Sequence, residues 1–149
     1  STLKRFEKLG FKDCWRIDPK YDLLIDDPLS NIETLQMFFN ENIARKITKK
    51  NGKVDVLIVR HVVEHAYNLT SFINSLKLLV NDDGFIVFEL PDCKQAFING
   101  DCTTIWEEHT YYFFASSFKR CLIKHDLNIV FWKEWEDNST IQKSWNLRS

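Results

Sequence analysis

The densest group of side chains that could carry out chemistry lies in residues 104–113, where ionisable and aromatic residues are interleaved. Within this segment the carboxyl group of Glu108 stands next to the imidazole of His109. Aromatic rings can exclude water from a pocket and raise the pKa of a carboxyl group, and a neighbouring histidine can share its proton. The segment therefore fits a general base, and it equally fits a packed loop whose tyrosines cover the edge of a sheet.

A second group, residues 60–65 (RHVVEH), matches the H-x-x-E-H pattern of inverted zinc proteases. That chemistry requires both histidines on one helical face, with a further ligand arriving from elsewhere. Here the group follows an apolar run over Val54–Val59, which predicts a buried parallel strand. His61 and His65 then lie at a junction between a strand and a helix, where they need not converge. We therefore expect no metal site, and a polar hinge is the simpler interpretation.

A third candidate is Asp18, which follows a predicted strand over Lys12–Ile17 and precedes Pro19. A carboxylate at the end of such a strand can accept hydrogen bonds from the hydroxyl groups of a ribose. An aspartate before proline is also a common turn residue, so the position alone leaves both interpretations open. The glycine-rich turn that accompanies such ribose sites is missing, because the four glycines of the chain are widely separated.

The elements that would position these groups alternate between helices and strands. Helices are predicted where apolar residues recur at helical spacing, and strands where they form short runs. In chain order, the predicted elements are a helix ending at Gly10, strands over Lys12–Ile17 and Thr34–Phe39, a helix between the Asn40 cap and Asn51-Gly52, the strand Val54–Val59, a helix over Leu69–Val80, a turn at Asp82-Asp83-Gly84, the strand Phe85–Leu90, a helix capped by Ser116 or Ser117, and the strand Asn128–Trp135. This order predicts an α/β fold in three layers, with a mainly parallel sheet, right-handed crossovers, and ligands at the carboxyl ends of the strands.

Charge, length and cysteine usage limit the class of protein. Lys and Arg total 20 against 21 Asp and Glu, so a net charge of -1 offers no field that attracts nucleic acid or an anionic membrane. No apolar run approaches the roughly 20 residues of a spanning helix, and we expect a cytoplasmic protein. The four cysteines form no C-x-x-C pair. The 149 residues are expected to form one domain, residues 1–149.

Two stretches resemble the class I S-adenosylmethionine-dependent methyltransferases. Residues 54–92 (VDVLIVRHVVEHAYNLTSFINSLKLLVNDDGFIVFELPD) are similar to the fourth strand, following helix and fifth strand of that family. Residues 105–113 (IWEEHTYYF) resemble the Tyr-x-Glu-His-x-Tyr-Tyr-Phe segment of its sugar C-methyltransferase branch. The resemblance extends essentially from Leu3 to Glu136 and implies a Rossmann-like fold, here without its first strand and glycine-rich loop.

The resemblance also implies roles for individual residues. Asp18 would hold the ribose of the cofactor, and Arg60 and His61 would lie along its methionine part. The acceptor side would contain the catalytic residues His65, Glu108 and His109, together with the substrate-binding residues Trp106 and Tyr111. Trp106 stands where the branch usually has tyrosine, and it lacks the phenolic hydroxyl that could hydrogen-bond a sugar acceptor.

The activity that the resemblance implies is methyl transfer from S-adenosylmethionine to a small molecule, such as a carbon next to a keto group of a nucleotide-linked sugar. The alternatives are a non-catalytic methyltransferase-like binding module and a Rossmann-type oxidoreductase, the latter without support in residues 105–113. The chain starts in helical periodicity without an initiator Met and lacks the glycine loop, which predicts an amino-terminally truncated domain. Such a chain is expected to bind the cofactor poorly and to be inactive.

Overall fold

Helices and strands alternate along most of the chain. The computed structural model describes residues 2–17, 39–105, 109–134 and 141–147. In chain order the elements are α1 (Thr2–Lys8), α2 (Glu41–Asn51), β1 (Val54–Arg60), a 3-10 turn (Val63–His65), α3 (Leu69–Leu79), β2 (Val80–Pro91), α4 (Lys94–Asn99), a second 3-10 turn (Cys102–Thr104), α5 (Ala115–Lys124), β3 (Asn128–Glu134) and β4 (Ile141–Leu147). None of the helices in these ranges is long and apolar enough to cross a lipid bilayer.

Helices α2 and α3 each begin at an asparagine whose side chain accepts hydrogen bonds from the first backbone N–H groups of the helix. Asn40 Oδ1 accepts hydrogen bonds from the backbone N–H of Asn42 at 3.0 Å and of Ile43 at 3.2 Å, so α2 begins where the asparagine cap was predicted. The α2 helix ends at Gly52, whose φ of 80° is a conformation that glycine adopts without strain. Asn68 caps α3 in the same way, through Ser71 N at 3.0 Å. Both helices are thus positioned by local sequence.

The sheet contains four described strands in the order β1-β2-β4-β3. Strands β1 and β2 are parallel, whereas β4 is antiparallel to both β2 and β3. Three of these four strands therefore run in one direction, which confirms the prediction of a mixed α/β fold with a mainly parallel sheet. Helix α3 forms the crossover between β1 and β2, as parallel neighbours require. Residues 141–147, which had no clear sequence pattern, supply the antiparallel member of these four strands.

The hydrophobic core lies between the sheet and its helices. Its members come from each of these elements and are fully or almost fully buried: Ala44 and Ile47 of α2, Phe72, Ile73, Leu76 and Leu79 of α3, Ile86, Phe88 and Leu90 of β2, and Phe118 and Leu122 of α5. The apolar positions recur at helical spacing in α3 and as a nearly continuous run in β2, so each element presents an apolar surface to the same interior.

The prediction of a strand over Lys12–Ile17 is wrong. These residues pair with no strand of the described structure, and Asp13 adopts a left-handed φ of 55°. The turn predicted at residues 82–84 falls within the range of β2, which begins at Val80, but the pairing with β1 jumps there from Val80 opposite Val54 to Phe85 opposite Val56. A Cβ at Gly84 would stand 2.5 Å from Val80 Cγ1 and 2.9 Å from the backbone oxygen of Asp55, so the chain folds back on itself at this irregularity and approaches β1 closely.

Helix α5 begins at Ala115, slightly before either of the two serines predicted to cap it. Ser117 instead contributes from inside the first turn, where its Oγ accepts a hydrogen bond from the backbone N–H of Phe114 at 2.9 Å. The predicted strand over Thr34–Phe39 lies outside the described residues except for Phe39. That residue is buried, and its ring packs edge-on against Phe72 at 5.7 Å between ring centroids.

Candidate active site

A bidentate ion pair joins β1 and β2 at their carboxyl ends. Arg60, the last residue of β1, donates from Nε to Glu89 Oε2 at 2.7 Å and from Nη2 to Glu89 Oε1 at 3.0 Å. The next residue, His61, turns away from the strand with a φ of 48°, and its backbone N–H donates to the carbonyl of Glu89 at 2.8 Å. A bidentate pair fixes the plane of the guanidinium group, so Arg60 and Glu89 have a defined orientation at the ends of the two strands.

His61 lies between two carboxylates. Its Nδ1 is 3.7 Å from Glu64 Oε1, and its Nε2 is 3.5 Å from Glu89 Oε1. The interaction with Glu64 raises the pKa of His61 above its usual value, and the charge of Glu89 adds to that effect, whereas desolvation and the Arg60 charge oppose it. The environment therefore favours the imidazolium form of His61.

A buried glutamate, Glu64, lies at the same edge of the sheet. It belongs to the 3-10 turn after β1 and is 2% exposed. Its backbone carbonyl accepts hydrogen bonds from the N–H groups of Thr110 at 3.0 Å and Tyr111 at 2.9 Å. Its carboxylate atom Oε2 is buried and has no hydrogen-bond partner among the described residues. Glu64 thus ties the turn after β1 to the loop that precedes α5.

The two backbone hydrogen bonds to the Glu64 carbonyl bring His65 and His109 into contact. Their rings meet edge to face, with 4.5 Å between centroids and an angle of 86° between planes. The ring of His109 also lies beside that of Tyr112, at 5.8 Å. One potential ligand atom from each of Glu64, His65 and His109 lies within 4.8 Å of the others. Two imidazoles and a carboxylate therefore share one small space.

Aromatic side chains form the wall behind the two histidines. The ring of Phe97 contacts Tyr112 at 6.0 Å and Phe114 at 5.4 Å, while Tyr111 stacks on Phe113 at 5.8 Å. The carbonyl of Phe113 accepts a hydrogen bond from Cys93 N at 3.0 Å, which attaches this loop to the end of β2. Phe97 is 51% exposed, so this wall shields the two histidines from solvent only in part.

The residues predicted as site residues from the sequence fall into three groups. Arg60, His61, His65 and His109 lie along the carboxyl ends of β1 and β2 and the adjoining loop. Tyr111 lies in the same loop but is half-buried and packs against the core. Asp18, Trp106 and Glu108 lie outside the described residues.

Two residues of this edge were overlooked by the sequence analysis. Glu89 is a carboxylate within the otherwise apolar run Phe85–Leu90, and a buried charge in such a run requires a partner. Glu64 was read only as part of a polar hinge. Residues 60–65 do form a strand end and a 3-10 turn rather than one helix, so His61 and His65 do not share a helical face.

The Arg60–Glu89 pair should contribute to stability more than an exposed pair does. Replacing Arg60 with alanine removes both donors from a carboxylate that is nearly buried, and we expect a loss of about 1–3 kcal/mol in the free energy of unfolding. The matched control is Arg45→Ala, which removes an exposed contact to Glu41 at 3.9 Å and should cost at most about 0.5 kcal/mol. Urea denaturation of both variants measures the difference, and equal losses would contradict the structural importance of the pair.

Comparison with known proteins adds one finding to this geometry. A protein-family model described as a methyltransferase domain matches residues 2–130 of the chain. The matched segment includes β1, β2 and the loop that holds His109. No curated protein matches the chain.

Proposed function

The chain belongs to the methyltransferase domain family, and from that premise we propose that it transfers a methyl group from S-adenosylmethionine to a small-molecule acceptor. The acceptor that we propose is a carbon next to a keto group of a nucleotide-linked sugar. The family match supports methyl transfer in general. The narrower choice of acceptor depends on the similarity of residues 105–113 to the sugar C-methyltransferase segment.

The observation that carries this proposal is the meeting of His65 and His109 at the carboxyl edge of β1 and β2. His65 follows β1, whereas His109 comes from a loop far along the chain, yet their ring centroids are 4.5 Å apart. Parallel α/β sheets bind their ligands at this edge. An imidazole pair beside a buried carboxylate can accept a proton from an acceptor that becomes methylated.

The described residues fit one part of the cofactor. The Arg60 side chain is half exposed, and its pair with Glu89 occupies Nε and Nη2 only. The remaining guanidinium N–H groups can donate to a carboxylate such as that of the methionine part. His61, whose pKa is raised, adds a second positive group beside it. The ribose partner that we propose, Asp18, lies outside the described residues.

S-adenosylmethionine, when bound, supplies the electrophilic methyl group. In the mechanism that we propose, Arg60 and His61 orient the methionine part, while Trp106 and Tyr111 hold the acceptor. Glu108 and His109 form the acid–base pair that removes the proton from the acceptor, with His65 reaching the same space. The proton passes from the acceptor to these groups, which lie beside the aromatic wall.

The proposal is tested with the full-length protein, S-adenosylmethionine carrying a labelled methyl group, and a panel of nucleotide-linked keto sugars and their reduced analogues. We expect label to appear on carbon for a keto sugar and not for the analogue that lacks the keto group, because only the ketone acidifies the neighbouring C–H. Cofactor binding without transfer to any acceptor would support a non-catalytic module instead. Absence of cofactor binding would overturn the proposal altogether.

A further inference from the structure

Glu64, His65 and His109 together offer a set of metal ligands. One ligand atom from each side chain lies within 4.8 Å of the other two. Two imidazole nitrogens and one carboxylate oxygen are a recurrent set for Zn²⁺ and other first-row divalent ions, with further positions open to water or substrate. This set differs from the H-x-x-E-H pattern, because its third member comes from a distant loop and His61 is not included.

A second and independent observation is the incomplete environment of Glu64. The carboxylate is buried, and Oε2 has no donor among the described residues. Its other oxygen, Oε1, forms an ion pair with His61 Nδ1 at 3.7 Å, which is longer than a good hydrogen bond. Leaving one oxygen of a buried carboxylate without a donor is costly, and a divalent cation on Oε2 would remove that cost. The unpartnered atom belongs to the same side chain that supplies the carboxylate of the cluster.

The backbone holds the three side chains in place. The carbonyl of Glu64 accepts the N–H groups of Thr110 and Tyr111, so the turn with Glu64 and His65 is fastened to the residues that directly follow His109. A tetrahedral zinc site with bonds of about 2.0–2.1 Å has ligand atoms about 3.4 Å apart. The ligand atoms of the cluster lie within 4.8 Å of one another, so side-chain rotations must bring them closer together when an ion binds.

We propose that Glu64, His65 and His109 bind one divalent transition-metal ion of the Zn²⁺ type, with at least one coordination position open towards the acceptor side. This departs from the sequence-based expectation that the region holds no metal. It also goes beyond methyl transfer, since metal binding is measurable without cofactor or acceptor. If the ion is bound, His65 and His109 would hold it through ring nitrogens and would no longer be available as proton acceptors, which would leave proton removal at the acceptor to Glu108.

The test is a titration of the full-length, chelator-treated protein with Zn²⁺ alone, followed by calorimetry and by the zinc-dependent change in melting temperature. We expect one ion per chain with a dissociation constant of about 1 µM or tighter, and a melting temperature that rises with free zinc. Glu64→Gln should weaken binding by about tenfold or more, because the amide lacks the carboxylate charge, and His109→Ala by about a hundredfold, because alanine lacks the imidazole nitrogen.

Cys102→Ser is the matched control, since Cys102 is an exposed thiol that could bind zinc adventitiously and should not matter. Circular dichroism establishes that each variant is folded, and His65→Asn replaces His109→Ala if the latter is not. Zinc binding weaker than about 100 µM in the unsubstituted protein would overturn the proposal. Binding that survives Glu64→Gln and both histidine variants, or that is lost in Cys102→Ser, would also overturn it. None of these results depends on methyl transfer.

Discussion

Replacing Glu108 with glutamine in the full-length enzyme should lower kcat by about a hundredfold or more, with little change in the affinity for S-adenosylmethionine. The amide has nearly the same size and still forms hydrogen bonds, but it cannot take a proton from the acceptor. The expected loss therefore falls on the chemical step rather than on binding. Single-turnover kinetics measure the first quantity, and calorimetric titration of the cofactor measures the second.

The neighbouring Glu107 provides the matched control for this experiment. Glu107→Gln removes the same charge from the adjacent position of the segment, which corresponds to the variable position of the sugar C-methyltransferase pattern. We expect its kcat to remain close to that of the unsubstituted enzyme. A similar loss in both variants would point to net charge rather than to proton transfer. Near-normal turnover of Glu108→Gln, or a loss explained by unfolding, would contradict the proposed role of Glu108 in proton transfer.

Phe118→Ala should cost about 3–5 kcal/mol in the free energy of unfolding. The side chain is 1% exposed, and its ring packs edge-on against Phe88 of β2 at 5.4 Å and against Phe113 at 5.0 Å. Alanine leaves a cavity between α5 and the sheet and removes two aromatic contacts. Phe113 lies in the loop that contains His109, so the same change should also loosen the candidate site. Urea denaturation with linear extrapolation measures the loss of stability.

The control lies on the same helix. Ile123 is 64% exposed, and Ile123→Ala should change the free energy of unfolding by no more than about 0.5 kcal/mol, because its side chain already contacts water. Both variants replace a large apolar residue of α5 with alanine, so helix propensity affects them similarly. A difference of less than about 1 kcal/mol between them would contradict the central position of Phe118 in the core.

Elements with a strong local pattern were predictable from the sequence. The apolar run of β1 and the capped helix α2 appear close to their predicted bounds, and α3 follows the spacing of its buried residues. The strand predicted over Lys12–Ile17 failed because β-propensity without a neighbouring strand does not make a strand. Strand β4 was missed for the converse reason, since it is defined by its pairing with β2 and β3.

The sequence by itself determined that the chain would form an α/β sheet and that Arg60 and His61 would stand at the end of a strand, because apolar periodicity is a local property. The prediction that this strand is buried was wrong, since Val59 is its one buried residue and Asp55 and Val56 are exposed. The sequence also identified His65 and His109 as candidates for acid–base chemistry. The tertiary structure decided that these histidines meet, that Glu89 pairs with Arg60, and that Glu64 is buried with one oxygen that has no partner among the residues described. Those contacts depend on the crossover through α3, which places β1 beside β2, and on the hydrogen bonds from the Glu64 carbonyl to the distant loop. Contacts between residues far apart in the chain do not produce a periodic pattern in the sequence.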